Sequence, residues 1–277
     1  MRLAAFLFSF AALGWGQATA PAKPPAPFSR HMMEVKQYSQ DENEAIVAKF
    51  KGMRTTDVLD GLQAVGLHKV TVMDRKIGPM WVDNEEFSHT VYGVAITLRL
   101  VPALVVAPNS VFMSNAEMSQ WQRTWSKRYM GGAIGAFMAP DTVLVIDAPI
   151  SADNGYCGSN NALGWKLRGV RGIVTNAGCR DSDEMRKEQI PVYQRDSTRF
   201  INEGTIAVES YNTPVVVGGV LVMPGDVIVA DLDGVAVVPR AKAELVAKIA
   251  CEIRDGDNKT RRGLYEKGKM KPDFTLK

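Results

Sequence analysis

With 277 residues, 46% of them apolar and 23% charged, the chain has an ordinary globular composition and enough length to bury a sizeable core. A formal net charge of +3, with no basic cluster before the lysine- and arginine-rich C-terminal end, argues against a nucleic-acid partner. The cysteines Cys157, Cys179 and Cys251 fit no zinc spacing, and His31, His68 and His89 are scattered, which argues against a His/Cys transition-metal site.

In chain order, residues 1–20, "MRLAAFLFSFAALGWGQATA", place basic Arg2 before an apolar run from Leu3 to Trp15 and small residues at Ala18 and Ala20. This is the layout of a secretory signal peptide cleaved near Ala20, and the run is shorter than the roughly 20 residues a spanning helix needs. The expectation is an exported protein, periplasmic or secreted, with no membrane contact once the leader is removed. Residues 21–31 are a proline-rich linker, and 32–277 form one domain.

Within that domain, residues from about Met32 to Phe50 read as helical. "TTDVLDGLQAVGL" predicts an amphipathic helix capped by Thr55 or Thr56, carrying Val58, Leu59, Leu62 and Val65 on one face and ending near Gly66. "YGVAITLRLV" predicts a strand. "NAEMSQWQRTWSKRYM" predicts a helix whose Trp121, Trp125 and Tyr129 form a packing stripe. "DTVLVIDAP" reads as a buried strand, "ALGWKLRG" as a helix after a small-residue loop, and "VRGIVTNAG" as the next buried strand, together a right-handed βαβ unit. The stretch "TPVVVGGVLVMPGDVIVADLDGVAVVPR" predicts short strands joined by tight turns, with Asp226, Asp231 and Asp233 as turn formers rather than calcium ligands. A last helix runs from about Lys242 to near Gly263, and there are no internal repeats. The fold class is therefore α/β, one domain with a mixed sheet region and flanking helices.

The segment "NAGCRDSDEM" carries the chemistry. Asp181 with Glu184 three residues on has the form of a capping box. The same residues stand at the carboxyl end of a buried strand, where ligands gather in βαβ sheets. If the two buried strands are neighbours, the small-residue loop Gly155–Asn161 opens onto the same crevice. A helix start there would attract an anion, Arg180 would grip a carboxylate and Asp181 would hold a hard cation through oxygen. The combination suits a small oxo-acid and Mg²⁺.

These stretches, from about Thr55 to Pro239, resemble the RraA-like family, which includes class II 4-hydroxy-4-methyl-2-oxoglutarate aldolases and ribonuclease activity regulators. The matching segments are "TTDVLDGL", "YGVAITL", "DTVLVIDA", "RGVRGIVTNAGCRDSDE", "IPVY" and "VLVMPGDVIVADLDGVAVVP". The family signature falls on Gly158 and Ser159, twenty residues, Arg180 and Asp181, two residues, and Glu184. The resemblance implies a swivelling β/β/α domain, assembled as trimers or dimers of trimers. It implies that Arg180 and the loop Gly158, Ser159, Asn160 and Asn161 bind a small 2-oxo acid. It also implies that Asp181, supported by Glu184, holds Mg²⁺ or Mn²⁺. The activity implied is cleavage of 4-hydroxy-2-oxo acids or decarboxylation of oxaloacetate, both releasing pyruvate through an enolate. The alternative is a non-catalytic binding or regulatory protein of the same family. Three positions depart from the aldolase pattern: Ser159 replaces an acid, Asn176-Ala177 replaces Asp-Gly, and Asp257 is the sole candidate for the acid that the family's aldolases draw from a neighbouring subunit's C-terminal region.

Cys157 and Cys179 each precede a residue of this site. They read either as two small buried thiols behind it or, in an oxidising compartment, as a disulfide.

Overall fold

The computed structural model describes residues 33–103, 112, 114–149, 154–201 and 204–276. The expected leader and linker lie outside these residues, and Val35–Lys277 form one compact unit. Helix α1 (Gln40–Phe50) starts later than the periodicity suggests, because Ser39 and Glu42 close a full capping box at its first turn. Helix α2 (Thr55–Ala64) has Arg54 rather than a threonine at its N-cap position, where the Arg54 N–H donates to the Asp57 carboxylate at 2.9 Å, and Gly66 follows the helix at φ +78. Next come β1 (Gly78–Pro79), β2 (Val91–Pro102) and α3 (Asn115–Trp125), whose last turn widens into a π turn over Ser126–Met130. A 3₁₀ turn at Ala133–Ala136 leads to β3 (Thr142–Asp147), β4 (Asn154–Gly155), α4 (Ser159–Lys166), β5 (Val170–Thr175) and α5 (Ser182–Lys187). The chain continues through β6 (Val192–Gln194), β7 (Phe200–Ile201), β8 (Ile206–Tyr211), β9 (Val215–Val217) and β10 (Val220–Val222). It ends with β11 (Val227–Asp231), β12 (Gly234–Val238) and α6 (Ala243–Lys267).

The main sheet has the order β1-β6-β5-β3-β2-β11-β12, with β8 alongside the second half of β2. Strands β2, β3, β5 and β6 are parallel, so the predicted β3-α4-β5 crossover is present and β5-α5-β6 repeats it. The remaining partners are antiparallel, which makes the sheet mixed. Val72 bridges Ala236 of β12, and six residues later Gly78 pairs with Gln194 of β6. That short segment joins the two sheet edges and nearly closes the sheet.

Alternation along the strands sorts side chains into layers. Val143 and Val145 of β3, with Ile228 and Ala230 of β11, point to the inner face. The β9-β10 hairpin packs Val215, Val217, Val220 and Val222 there too, turning through Gly218 and Gly219 at positive φ. Leu144 and Ile146 face outward and pack with Ala162 of α4 and Met185 of α5. Val227 and Val229 face outward on the other flank, against α1, α2 and α6. Of the aromatic stripe, Trp125 is buried and stacks on Trp121 and Tyr129, a packing face as expected.

Two helix ends differ from the sequence reading. Helix α6 runs through Gly256 and Gly263 to Lys267, because both glycines are tolerable in a helix at about 1 kcal/mol each. Its end is tied by Arg262, which donates to the Leu276 carbonyl at 2.9 Å, and by Tyr265, which donates to Asp273 at 3.1 Å. Helix α4 begins at Ser159, so Ser159, Asn160 and Asn161, read from sequence as loop, form its first turn.

Candidate functional site

The carboxyl ends of β3 and β5 lie side by side, and the loops that leave them converge. Gly155 bridges Gly178, and the Arg180 N–H donates to the Cys157 carbonyl at 3.1 Å. The small-residue loop and the Arg-Asp corner therefore share one crevice, as the strand order required. Asn176 ties the crevice floor: its Oδ1 accepts from the Ala148 N–H at 2.8 Å, and its Nδ2 donates to Asp147 at 3.1 Å. Buried and fully engaged, Asn176 braces the two strand ends rather than facing a ligand.

Asp181 caps α5 only by position. Its backbone is left-handed at φ +62, and its side chain makes no cap hydrogen bond to its own helix. Instead its carboxylate accepts from the Ser159 N–H at 3.1 Å, serving as the cap acceptor for α4, whose own N-cap Gly158 has no side chain. A Cβ on Gly158 would meet Asp181 Oδ2 at 2.2 Å, so the acid needs glycine there. Glu184 does not reach back to close the expected capping box. It accepts a hydrogen bond from the Ser159 hydroxyl. Both acids thus turn from α5 to the start of α4, and the capping box expected within α5 is not formed.

Arg180 stands beside them with Nε 3.8 Å from Asp181 Oδ2, and its side chain is 37% exposed. Its remaining donors, with the uncapped N–H groups of Asn160 and Asn161, form an anion-seeking corner. A cavity of about 420 Å³ opens there and runs along α4, lined by Gly158, Asn160, Asn161, Gly164, Trp165, Arg168 and Arg180. Tyr156 and Trp165, stacked at 6.0 Å, form one wall, and burial raises the Tyr156 hydroxyl pKa, keeping it protonated. The π turn supplies the rim through Ser126 and Met130, with Gly131 and Gly132 directly after it. Tyr211 pins that rim by donating to the Met130 carbonyl and accepting from the Gly132 N–H at 3.0 Å. Arg168, Trp165, Tyr156 and the rim had not been singled out in the sequence for the site. The one usable signal was the helical register, which puts Gly164 and Trp165 on the face of α4 that continues from Asn160 and Asn161, with Arg168 in the turn just beyond.

A second cavity of about 590 Å³ lies at the opposite strand ends, lined by Thr90, Tyr92, Asp141, Val170 and Pro191. Two of the three cations lining it are engaged, since Arg171 pairs with Asp141 at 2.7 Å and Lys166 donates to the Gln189 carbonyl at 3.2 Å. The smaller cavity lies at the carboxyl ends, where ligands gather in such sheets, which favours it as the site.

Asp181 and Glu184 are oxygen donors flanking Ser159, a set that fits a hard cation retaining several waters. Among the described residues, no three His, Cys, Asp or Glu side chains converge as a metal cluster. Asp257, on α6, pairs with Arg54 at 2.8 Å and does not line the cavity of its own chain.

Fold and site together define a mixed α/β protein with a partly exposed arginine and two acids at the carboxyl edge of its sheet. The profile of the RraA-like family, described as Aldolase/RraA, matches residues 55–237, and the chain belongs to that family. A Halalkalibacterium halodurans protein provisionally named 4-hydroxy-4-methyl-2-oxoglutarate aldolase is 32% identical over 129 residues, 46% of this chain and 60% of that protein. An uncharacterized Methanocaldococcus jannaschii protein is 31% identical over 104 residues, 36% of this chain and 48% of that protein. The matched segments thus span less than two thirds of either curated relative. Among solved structures, Streptomyces coelicolor RraAS2, described as an unusual member of the RNase ES inhibitor RraA protein family, superposes with a TM-score of 0.62. It is 25% identical, and the match covers 79% of this chain and 97% of that one. A Pseudomonas syringae protein, 17% identical with a TM-score of 0.60 over 81% of this chain and 93% of that one, shares the fold.

Proposed function

We propose that the chain is a divalent-cation-dependent lyase that releases pyruvate from a small 4-hydroxy-2-oxo acid or from oxaloacetate. The observation that carries this reading is the turning of Asp181 and Glu184 away from their own helix toward the start of α4, beside the open donors of Arg180. In this reading Arg180 and the N–H groups of Asn160 and Asn161 hold the C1 carboxylate, fixing the bond to be cleaved relative to the two acids. The Ser159–Glu184 pair accepts the proton that leaves the 4-hydroxyl when the C3–C4 bond breaks, and Ser159 remains its hydrogen-bond partner as the proton arrives. The electrons of that bond pass into the 2-oxo group, and protonation at C3 yields pyruvate. A Mg²⁺ or Mn²⁺ ion at the Asp181 corner supplies Lewis-acid stabilisation of the developing charge on the 2-oxo oxygen.

The test is pyruvate release from a panel of 2-oxo acids with Mg²⁺, with Mn²⁺ and with chelator. Cation-dependent turnover supports the proposal; none, under any cation, rejects it. The second reading, a non-catalytic regulatory protein, is favoured by the likeness to RraAS2 and by Ser159 standing where aldolases carry an acid. That reading predicts no turnover.

A further inference from the structure

Cys157 and Cys179 immediately precede Gly158 and Arg180, and the proposed chemistry uses neither. We propose that the two form a disulfide, a covalent clamp between the start of α4 and the Arg-Asp corner. Their sulfurs stand 2.9 Å apart, at 2% and 0% exposure, and both are thiols in this structure. A bond of about 2.05 Å requires them to approach by less than about 1 Å. The backbone is already in place for it. Arg180 N–H donates to the Cys157 carbonyl, Gly155 bridges Gly178, and the Cys179 N–H donates to Gln194 Oε1 at 2.7 Å. Those backbone contacts already hold the two loops together, leaving only the last ångström of approach between the sulfurs.

Cys251 is not a competing partner. It lies on α6, its sulfur accepting from Arg254 Nη2 at 3.1 Å, and packs at the edge of the layer formed by α1, α2 and α6. The pair belongs to the layer that packs on α4 and α5.

The oxidant is a small-molecule or enzyme disulfide. One cysteine thiolate attacks it and releases the first thiol; the second cysteine then resolves the mixed disulfide and releases the other. Two protons leave the cysteines and two electrons pass to the oxidant, which ends as two thiols. Because both sulfurs are buried, exchange takes place as the chain folds. The bond closes a loop between residues 22 apart in sequence, so it stabilises the native state and holds Gly158 against Arg180. The inference stands whatever the cavity binds.

The experiment refolds the full chain from denaturant in a glutathione redox buffer, alkylates it under denaturing conditions, and reads intact mass and peptide map. The expected result is a single alkylated cysteine, Cys251, and a cross-linked peptide pair containing Cys157 and Cys179. A Cys251→Ser chain should give the same cross-link with no alkylation. Thermal unfolding of the oxidised chain should exceed that of the same chain after reduction by roughly 5–10 °C. This comparison needs no cysteine variant at the site and so survives any folding defect such a variant would cause. Three alkylated cysteines after oxidative refolding, a cross-link through Cys251, or equal melting of oxidised and reduced chains would overturn the proposal.

Discussion

Arg180 and Glu184 have separable jobs in the proposed reaction, and two substitutions distinguish them. Arg180→Ala removes the charged grip on the C1 carboxylate and should lower kcat/KM about 10²-fold for every 2-oxo acid that is turned over. Glu184→Gln removes the proton acceptor paired with Ser159. Aldol cleavage must deprotonate a hydroxyl, whereas decarboxylation of oxaloacetate releases CO₂ without that step. Steady-state assays of Glu184→Gln should therefore show cleavage falling 10²-fold or more while decarboxylation stays within about tenfold. Equal losses in both reactions would reject the proton-acceptor role. Arg168 lines the far part of the cavity and forms no ion pair among the described residues, its guanidinium passing over Gly135, where a Cβ would stand 2.6 Å from Nη1. For substrates with a distal carboxylate, Arg168→Met should raise KM about tenfold with little change in kcat.

At the scale of elements, α5 lends its two acids to the first turn of α4. The local signature of Asp181 and Glu184 is a capping box, and nothing within ten residues reveals that both side chains serve α4 instead. The consequence is measurable. An asparagine at 181 keeps an oxygen for the Ser159 N–H and tolerates the left-handed backbone at φ +62. Asp181→Asn should therefore melt within about 2 °C of the parent chain while its cation-dependent turnover drops at least 10²-fold. Strong destabilisation would mean that the acid is structural. Strand β3, by contrast, was legible as an apolar run, and β5 as one broken only by the exposed Arg171, because a strand buried on both faces needs no polar alternation.

For the whole molecule, one buried acid makes stability depend on pH. Asp226 accepts from the N–H groups of Met223 and Arg240, locking the turn before β11 to the chain entering α6. Burial pushes its pKa up to about 6 from an ordinary 3.8, and the two backbone donors offset only part of that. The folded state therefore binds this proton more tightly than the unfolded state. Stability contributed here is fully present below about pH 4 and falls as pH rises to 6, by up to about 3 kcal/mol. Denaturant unfolding of the parent chain and Asp226→Asn across pH 4–7 should show the variant gaining relative stability over that interval; a parallel pair of curves would reject it.

Sequence alone determined the apolar runs of β2, β3, β5 and β11, the amphipathic helices, the turn glycines of the β9-β10 hairpin and the Gly158–Arg180–Asp181 spacing. The runs, helices and turn glycines rest on periodicity or on backbone constraints carried within a few residues, whereas the spacing stood out through the family resemblance. Tertiary structure decided which strands are neighbours, the near closure of the sheet through the segment from Val72 to Gly78, and the full length of α6. It also decided the direction of Asp181 and Glu184, the bracing role of Asn176 and the 2.9 Å approach of Cys157 to Cys179. Each of these joins residues about twenty or more apart in the chain, except for the end of α6, which is held by a neighbouring turn. A local pattern has no means of expressing such contacts, because they are set by which strand ends the closed sheet brings together.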